Sequence, residues 1–192
     1  MVRKLTALAS VLIMIGAASS SAQTLSVAKQ GDKAVLFNFV GLSAIDLGAY
    51  QGGIGGKYFF SDGMALRAML LFGIDNTTQS GVPQATDNKL SFGIGGGLEY
   101  HLPLAYHISP YFGGLLSFQT AAETVNPGAT KTSTTSFGLG ALGGIEYFFN
   151  DNLSLSAEYQ FGLTSTSYTG LPNQSEFKFG FQTAGLTLAA YF

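Results

Sequence analysis

The sequence predicts an all-β fold, an eight-stranded antiparallel up-and-down transmembrane β-barrel, and three observations predict it. Apolar residues recur at alternate positions in eight separate stretches, as expected of strands with two unlike faces. Only 10% of the 192 residues are charged, against roughly 25% in soluble domains. Beyond the amino-terminal segment, no run is apolar over the ~20 residues that a membrane helix needs. In hydrocarbon only helices and closed barrels satisfy every backbone polar group, so a membrane chain without such helices must close on itself.

The amino-terminal segment reads as a secretory signal over residues 1–22. Arg3 and Lys4 supply a positive start, residues 5–18 an apolar run, and Ser20-Ser21-Ala22 the small residues that place cleavage after Ala22. The apolar run is too short to anchor the chain as a helix and ends in serines. Loss of Arg3 and Lys4 takes the net charge from −2 to about −4, which offers no basic footprint for nucleic acid. There is no cysteine, hence no disulfide, no thiol chemistry and no lipidated thiol.

Eight strands are expected within a barrel spanning residues 33–192. On strand one, residues 33–41, Val35, Phe37 and Phe39 share the apolar face. Strand two, 49–60, presents Tyr50, Ile54, Tyr58 and Phe60 with glycines between, and strand three, 64–73, presents Met64, Leu66, Ala68, Leu70 and Phe72. Strand four, 89–101, carries Leu90, Phe92, Ile94, Leu98 and Tyr100, and strand five, 109–119, Pro110, Phe112, Leu116 and Phe118. Strand six, 136–149, shows Phe137, Leu139, Ala141, Ile145, Tyr147 and Phe149. Strand seven, 153–162, shows Leu153, Leu155, Ala157, Tyr159 and Phe161, and strand eight, 179–192, Ala184, Leu186, Leu188, Ala190 and Phe192. None of these faces contains a charge.

The opposite faces carry Lys57, Arg67, Ser91, Glu99, His101, Ser117, Glu146, Ser154, Ser156, Glu158, Thr183 and Thr187 among many glycines. A soluble barrel of the lipocalin type has the reverse arrangement, apolar inside and polar outside. Polar-in and apolar-out is the membrane arrangement. Ser61-Asp62-Gly63 and Asn150-Asp151-Asn152 have tight-turn chemistry, and a slightly longer turn follows His101. Residues 75–88, 121–133 and 164–176 read as long polar loops on the other side, while the first outer connection, around 43–48, is short. With both termini on the short-turn side, aromatics gather in two belts. Tyr58, Phe60, Tyr100, Tyr147, Phe149 and Phe192 form one; Phe72, Phe92, Phe118, Phe137 and Phe161 form the other.

Several segments then carry a family resemblance. GLGALGGIEYFFNDNLSLSAEYQF, residues 138–161, resembles the last internal hairpin of small outer-membrane β-barrel domain proteins of the OmpA-transmembrane-domain type. GIGGGLEY at 93–100 and SPYFGGLLSF at 109–118 resemble their central hairpin. GLTLAAYF at 185–192 resembles the signal read by the barrel-assembly machinery, with Phe192 as the terminal aromatic and Leu186, Leu188 and Ala190 at alternate positions before it. The resemblance implies a bacterial outer-membrane location, with outer-membrane lipid and the assembly machinery as partners. It implies no single activity, because such barrels host adhesins, enzymes, narrow channels and stabilising proteins. The peptidoglycan-binding domain of OmpA-type proteins is not expected here.

The sharpest candidate for chemistry is a set of inward charges. If the first tight turn places Phe60 opposite Met64, Lys57 stands opposite Arg67. Like charges across a strand pair are destabilising, so Glu99, Glu146 and Glu158 are expected to compensate them, with His101 below. The OmpA-type resemblance implies an interior ion network at about this level. Mutual satisfaction of interior charges in a narrow lumen is the favoured reading; a gate or proton-responsive plug is the alternative. The three glutamates and His101 lack the short spacing of a metal site, and no cofactor or catalytic residue is expected. A lipid-modifying enzyme of this class has a histidine site at the outer leaflet or loops, whereas His101 and His107 are both expected at the periplasmic end. The expected role is therefore structural or surface-interacting, with a possible extracellular ligand reached through the loops. A narrow pore for ions or small solutes is the alternative, and a lipid-modifying enzyme stands a distant third. Mass spectrometry of outer-membrane material is expected to find residues 1–22 absent; an intact Met1 end would overturn the signal assignment.

Overall fold

The computed structural model describes residues 28–40, 49–79, 85–102, 107–125, 131–169 and 174–192. The expected signal segment and the first outer connection, around 43–48, lie outside the described residues. Eight strands follow one another: β1 (Lys33–Val40), β2 (Ala49–Ser61), β3 (Met64–Gln79), β4 (Ala85–His101), β5 (Ile108–Val125), β6 (Lys131–Asn150), β7 (Leu153–Thr169) and β8 (Gln174–Tyr191). Each pairs antiparallel with the next, and β8 pairs back onto β1, so the sheet is a closed barrel. The described residues contain no helix.

The faces follow the alternation. Leu36 and Phe59 are fully buried, whereas Phe37, Ile54, Leu66, Phe92 and Ile94 point outward with about half their surface uncovered (Ile94, 50%). A belt of this size on a soluble protein would be a liability; against lipid it is the stabilising surface. Tyr100 packs on Phe112 and Tyr147 on Phe149 near the short turns, and Phe161 meets Phe179 edge-on at the other end.

Four expectations need correction. The long polar loops are mostly strand. β3 and β4 stay paired through Gln79 and Ala85, β5 and β6 through Thr124 and Lys131, and β7 and β8 through Tyr168 and Gln174. Their Thr- and Ser-rich sequence lacks an apolar face because it leaves the lipid, yet the backbone ladder continues and threonine suits a strand.

The second correction concerns the first turn. Lys57 does face Arg67, but Ser61 rather than Phe60 pairs with Met64, and Phe60 is the extra residue of a bulge. Phe149 is the matching extra residue before the second tight turn. A bulge adds a residue without disturbing the register above it. Gly63, at φ +71°, makes the turn compact, and an added Cβ there would meet the His101 carbonyl oxygen at 2.9 Å.

Third, β8 begins earlier than expected and changes phase. Gln160 pairs with Thr183 and Phe161 with Phe181, so Gln182 is bulged out. Phe177 and Phe179 are exposed at odd positions above that bulge, while Ala184 is exposed at an even position below it.

Fourth, the interior is less uniformly polar than the alternation suggests. Leu36, Phe59, Met69, Tyr111, Leu115, Leu142, Phe148 and Tyr191 are buried among the charges. Inward glycines make room for several of them. A Cβ at Gly144 would stand 2.7 Å from the Tyr111 ring.

An arginine at Ile94, on the lipid face, is expected to destabilise the barrel by about 2–4 kcal/mol. Neighbouring Gly95→Ser should cost far less, since a Cβ at Gly95 meets only the Leu116 carbonyl oxygen, at 3.5 Å. Chemical unfolding of the two variants in lipid checks this, and equal losses would show that the faces of β4 are exchanged.

Candidate functional site

The lower half of the lumen holds the inward charges. β2 and β3 place Lys57 and Arg67 side by side. β4 delivers Glu99 and His101, β6 Glu146 and β7 Glu158, each on the inward parity of its strand. All six are buried, with Glu99 and Glu146 essentially without solvent contact.

Glu99 joins the two cations. Its Oε2 lies 3.0 Å from Lys57 Nζ, and its Oε1 lies 2.9 Å from Arg67 Nη1. The second contact is an ion pair alone, because no hydrogen bond reaches Glu99 Oε1. Across the lumen, Lys57 donates to Glu146 Oε2 at 3.1 Å. Arg67 takes Glu158 with both ends of its fork, at 2.7 and 3.0 Å, the planar geometry that favours arginine over lysine at such a position.

Hydroxyl and amide groups also donate to Glu146 and Glu158. Tyr191 donates to Glu146 Oε1 at 2.7 Å, and the Ser154 hydroxyl donates to the same oxygen. Tyr111 donates to Glu158 Oε2 at 3.0 Å and the Gln160 amide to Oε1 at 2.7 Å. His101 Nε2 lies 3.0 Å from Glu99 Oε2, which as a carboxylate oxygen can only accept, so Nε2 carries the hydrogen. Nδ1 lies 3.2 Å from the Ser109 hydroxyl oxygen. The imidazole stacks on Tyr111 at 4.9 Å and meets the Phe59 edge at 5.1 Å.

Below the charges lies a floor. Ala34, Leu36, Phe59, Ala65, Phe148, Ala189 and Tyr191 belong to one buried cluster, against which Ala28 packs. The segment before β1 is tied across the periplasmic end, with Gly31 donating to the Phe59 carbonyl and Gly63 to that of Ala28, both at 2.8 Å. Above the charges the lumen opens into a cavity of about 330 Å³, with Arg67 in its lining.

All six charged or imidazole residues expected from the sequence therefore meet in one network. Sequence reasoning passed over Tyr111, Tyr191, Ser109 and Gln160, although all four lie on the inward parity of their strands, which was the available signal. His107 stays apart from the network, with Nδ1 on the Phe148 carbonyl oxygen at 2.8 Å. At the other expected site, Leu186, Leu188 and Ala190 pair with Phe39, Phe37 and Val35 of β1. Phe192 is exposed and donates its backbone N–H to Lys33 O at 3.0 Å. Among the described residues no group of acids and histidines is arranged to hold a metal.

A family model described as the outer membrane protein beta-barrel domain matches residues 6–192. The chain belongs to that family. Membership implies the bacterial outer membrane, where the apolar belt meets lipid. No curated protein sequence matches the chain. Among solved structures, this outer-membrane barrel is similar to OprG of Pseudomonas aeruginosa, with a TM-score of 0.58 at 16% identity over 90% of this chain and 99% of that one. It is similar to Ail, the attachment invasion locus protein of Yersinia pestis, with a TM-score of 0.52 at 12% identity over 84% and 98% of the chains. Neisserial surface protein A gives a TM-score of 0.51 at 19% identity over 82% and 94%. At these identities the likeness is one of fold.

Removing one partner from a buried charge network leaves the others uncompensated and typically costs about 3–5 kcal/mol. Arg67→Ala is expected to lose stability on that scale, less whatever lumen water restores. Lys178→Ala, at an exposed pair with Glu176, should stay within about 0.5 kcal/mol. Unfolding midpoints in detergent micelles measure both, and an Arg67→Ala protein as stable as the parent would dismiss the network as a stabilising element.

Proposed function

We propose that this outer-membrane barrel is closed to conduction and acts structurally or through contacts made at its extracellular end. The observation that carries the proposal is the lower lumen, where ion pairs cross from β2 and β3 to β6 and β7 above an aromatic floor. An eight-stranded barrel is only just wide enough for its own side chains, so this filling leaves no aqueous path at that level. The polar ribbons of β3 to β8 extend past the apolar belt and are the surface offered to a partner. The names of two similar structures, a surface protein and an attachment invasion locus protein, accord with this reading without carrying it. Export with removal of residues 1–22, and assembly through the pattern ending in Phe192, belong to the same proposal.

A narrow pore is the second reading, and the cavity of about 330 Å³ above the network favours it. It requires the network to part. A lipid-modifying reaction at the outer leaflet finds no imidazole there, because the chain's two histidines, His101 and His107, both sit at the periplasmic end.

Planar-bilayer recording of the refolded protein tests the choice. The parent is expected to be electrically silent, and Arg67→Ala to be destabilised yet silent as well. Steady conductance by the parent would reject the closed-barrel reading, and conductance appearing only in Arg67→Ala would establish a gate.

A further inference from the structure

The cavity above the network has a lining of its own kind. Among the described residues that line it there is no carboxylate, and the charged one, Arg67, is already held by Glu99 and Glu158. The network below sets three carboxylates against two cations, which disfavours an anion, while the described lining residues offer a cation no carboxylate. Besides glycines, the remaining lining includes apolar residues, among them Met69, Leu71 and Leu115, and neutral amides and hydroxyls such as Asn38, Gln160 and Ser117.

Asn38 supplies a second, independent observation. It is more than nine-tenths buried (7% exposed), and its Nδ2 donates to Thr187 Oγ1 at 2.8 Å. Its Oδ1 has no hydrogen-bond partner. Turning the amide over would let Oδ1 accept from the Thr187 hydroxyl and leave Nδ2 unpaired instead. In either orientation one end of a buried amide is unpaired, which is destabilising unless something in the cavity supplies the bond. A hydroxyl group serves both orientations, since it donates and accepts. Gln160 adds an amide oxygen, its nitrogen being committed to Glu158.

We propose that the upper lumen binds one small neutral solute rich in hydroxyl groups, a polyol or monosaccharide, with its hydroxyl edge on Asn38 and Gln160 and its C–H face on Met69 and Leu115. The cavity, about 330 Å³, is at the lower end of the ~300–1,000 Å³ range of ligand pockets, which limits the occupant to a single small molecule. The site rests on the closed floor proposed above, which makes the cavity a terminus and not a passage.

Calorimetric titration and saturation-transfer NMR of the refolded protein in detergent micelles test this, with glucose as the neutral probe and glucose 6-phosphate as its charged counterpart. Saturable glucose binding is expected, weakened about tenfold by Asn38→Leu and abolished by Leu115→Trp, which fills the cavity. Glucose 6-phosphate should bind far more weakly. Circular dichroism shows whether each variant keeps its strands, and either folded variant suffices for the comparison. No saturable glucose binding would mean that water alone fills the cavity and would overturn the proposal. Binding unchanged in both variants, or equal for the two sugars, would overturn it too. Bilayer conductance by the parent would reject the closed floor, a failure distinguishable from loss of the site because glucose binding is measured separately.

Discussion

Every backbone N–H and C=O that enters hydrocarbon must be paired within the protein, since lipid offers no substitute for water. The rest of this structure depends on that requirement. It forbids an open edge, so β1 must hydrogen-bond β8 as well as β2. Once closed, the sheet has an inside and an outside, and the pleat sends alternate side chains to each. The outside is then given over to apolar residues, and what chemistry remains is confined to the lumen and the ends.

Closure also sets the problem that the interior solves. An eight-stranded barrel encloses little space, yet β2 and β3 bring two cations side by side in it. Glu99 resolves their repulsion by touching both, and Glu146 and Glu158 complete the compensation from the far wall. Such a network stabilises only when nearly all its lone pairs are used. The hydroxyls of Tyr111, Tyr191 and Ser154 and the Gln160 amide perform that task at Glu146 and Glu158, whereas Glu99 is held by the two cations and His101. Glycine is the counterpart of these large side chains. Tyr111 can reach Glu158 because Gly144 leaves the space its ring passes through.

The two ends of the lumen consequently differ. Towards the periplasm an apolar floor and the tied segment before β1 lie across it. Towards the exterior a cavity remains, whose described lining carries serines, a threonine and amides beside the apolar Met69, Leu71 and Leu115. Access from outside is thereby separated from passage through the barrel, and a role at the extracellular end is compatible with a membrane that stays sealed.

Much of this was legible along the chain because the pleat is a local property. Alternation alone placed the eight strands, assigned Ile94 outward and Glu99 inward, and collected the six residues of the network on one side of the sheet. Local polarity misled where its cause was the end of the lipid layer rather than the end of a strand, as in residues 75–79 and 164–169. The bulges at Phe60, Phe149 and Gln182 were invisible too, because an extra residue leaves no mark on composition. Partner choice lay further out of reach. Lys57 and Glu146 are 89 positions apart and Arg67 and Glu158 are 91, and only the stagger of the closed sheet decides which inward residues share a level. The sequence by itself determined the faces everywhere but the outer part of β8, because a strand's side chains alternate whatever it pairs with until a bulge intervenes. The tertiary structure decided who meets across the lumen, because that depends on the register of every strand pair around the ring at once.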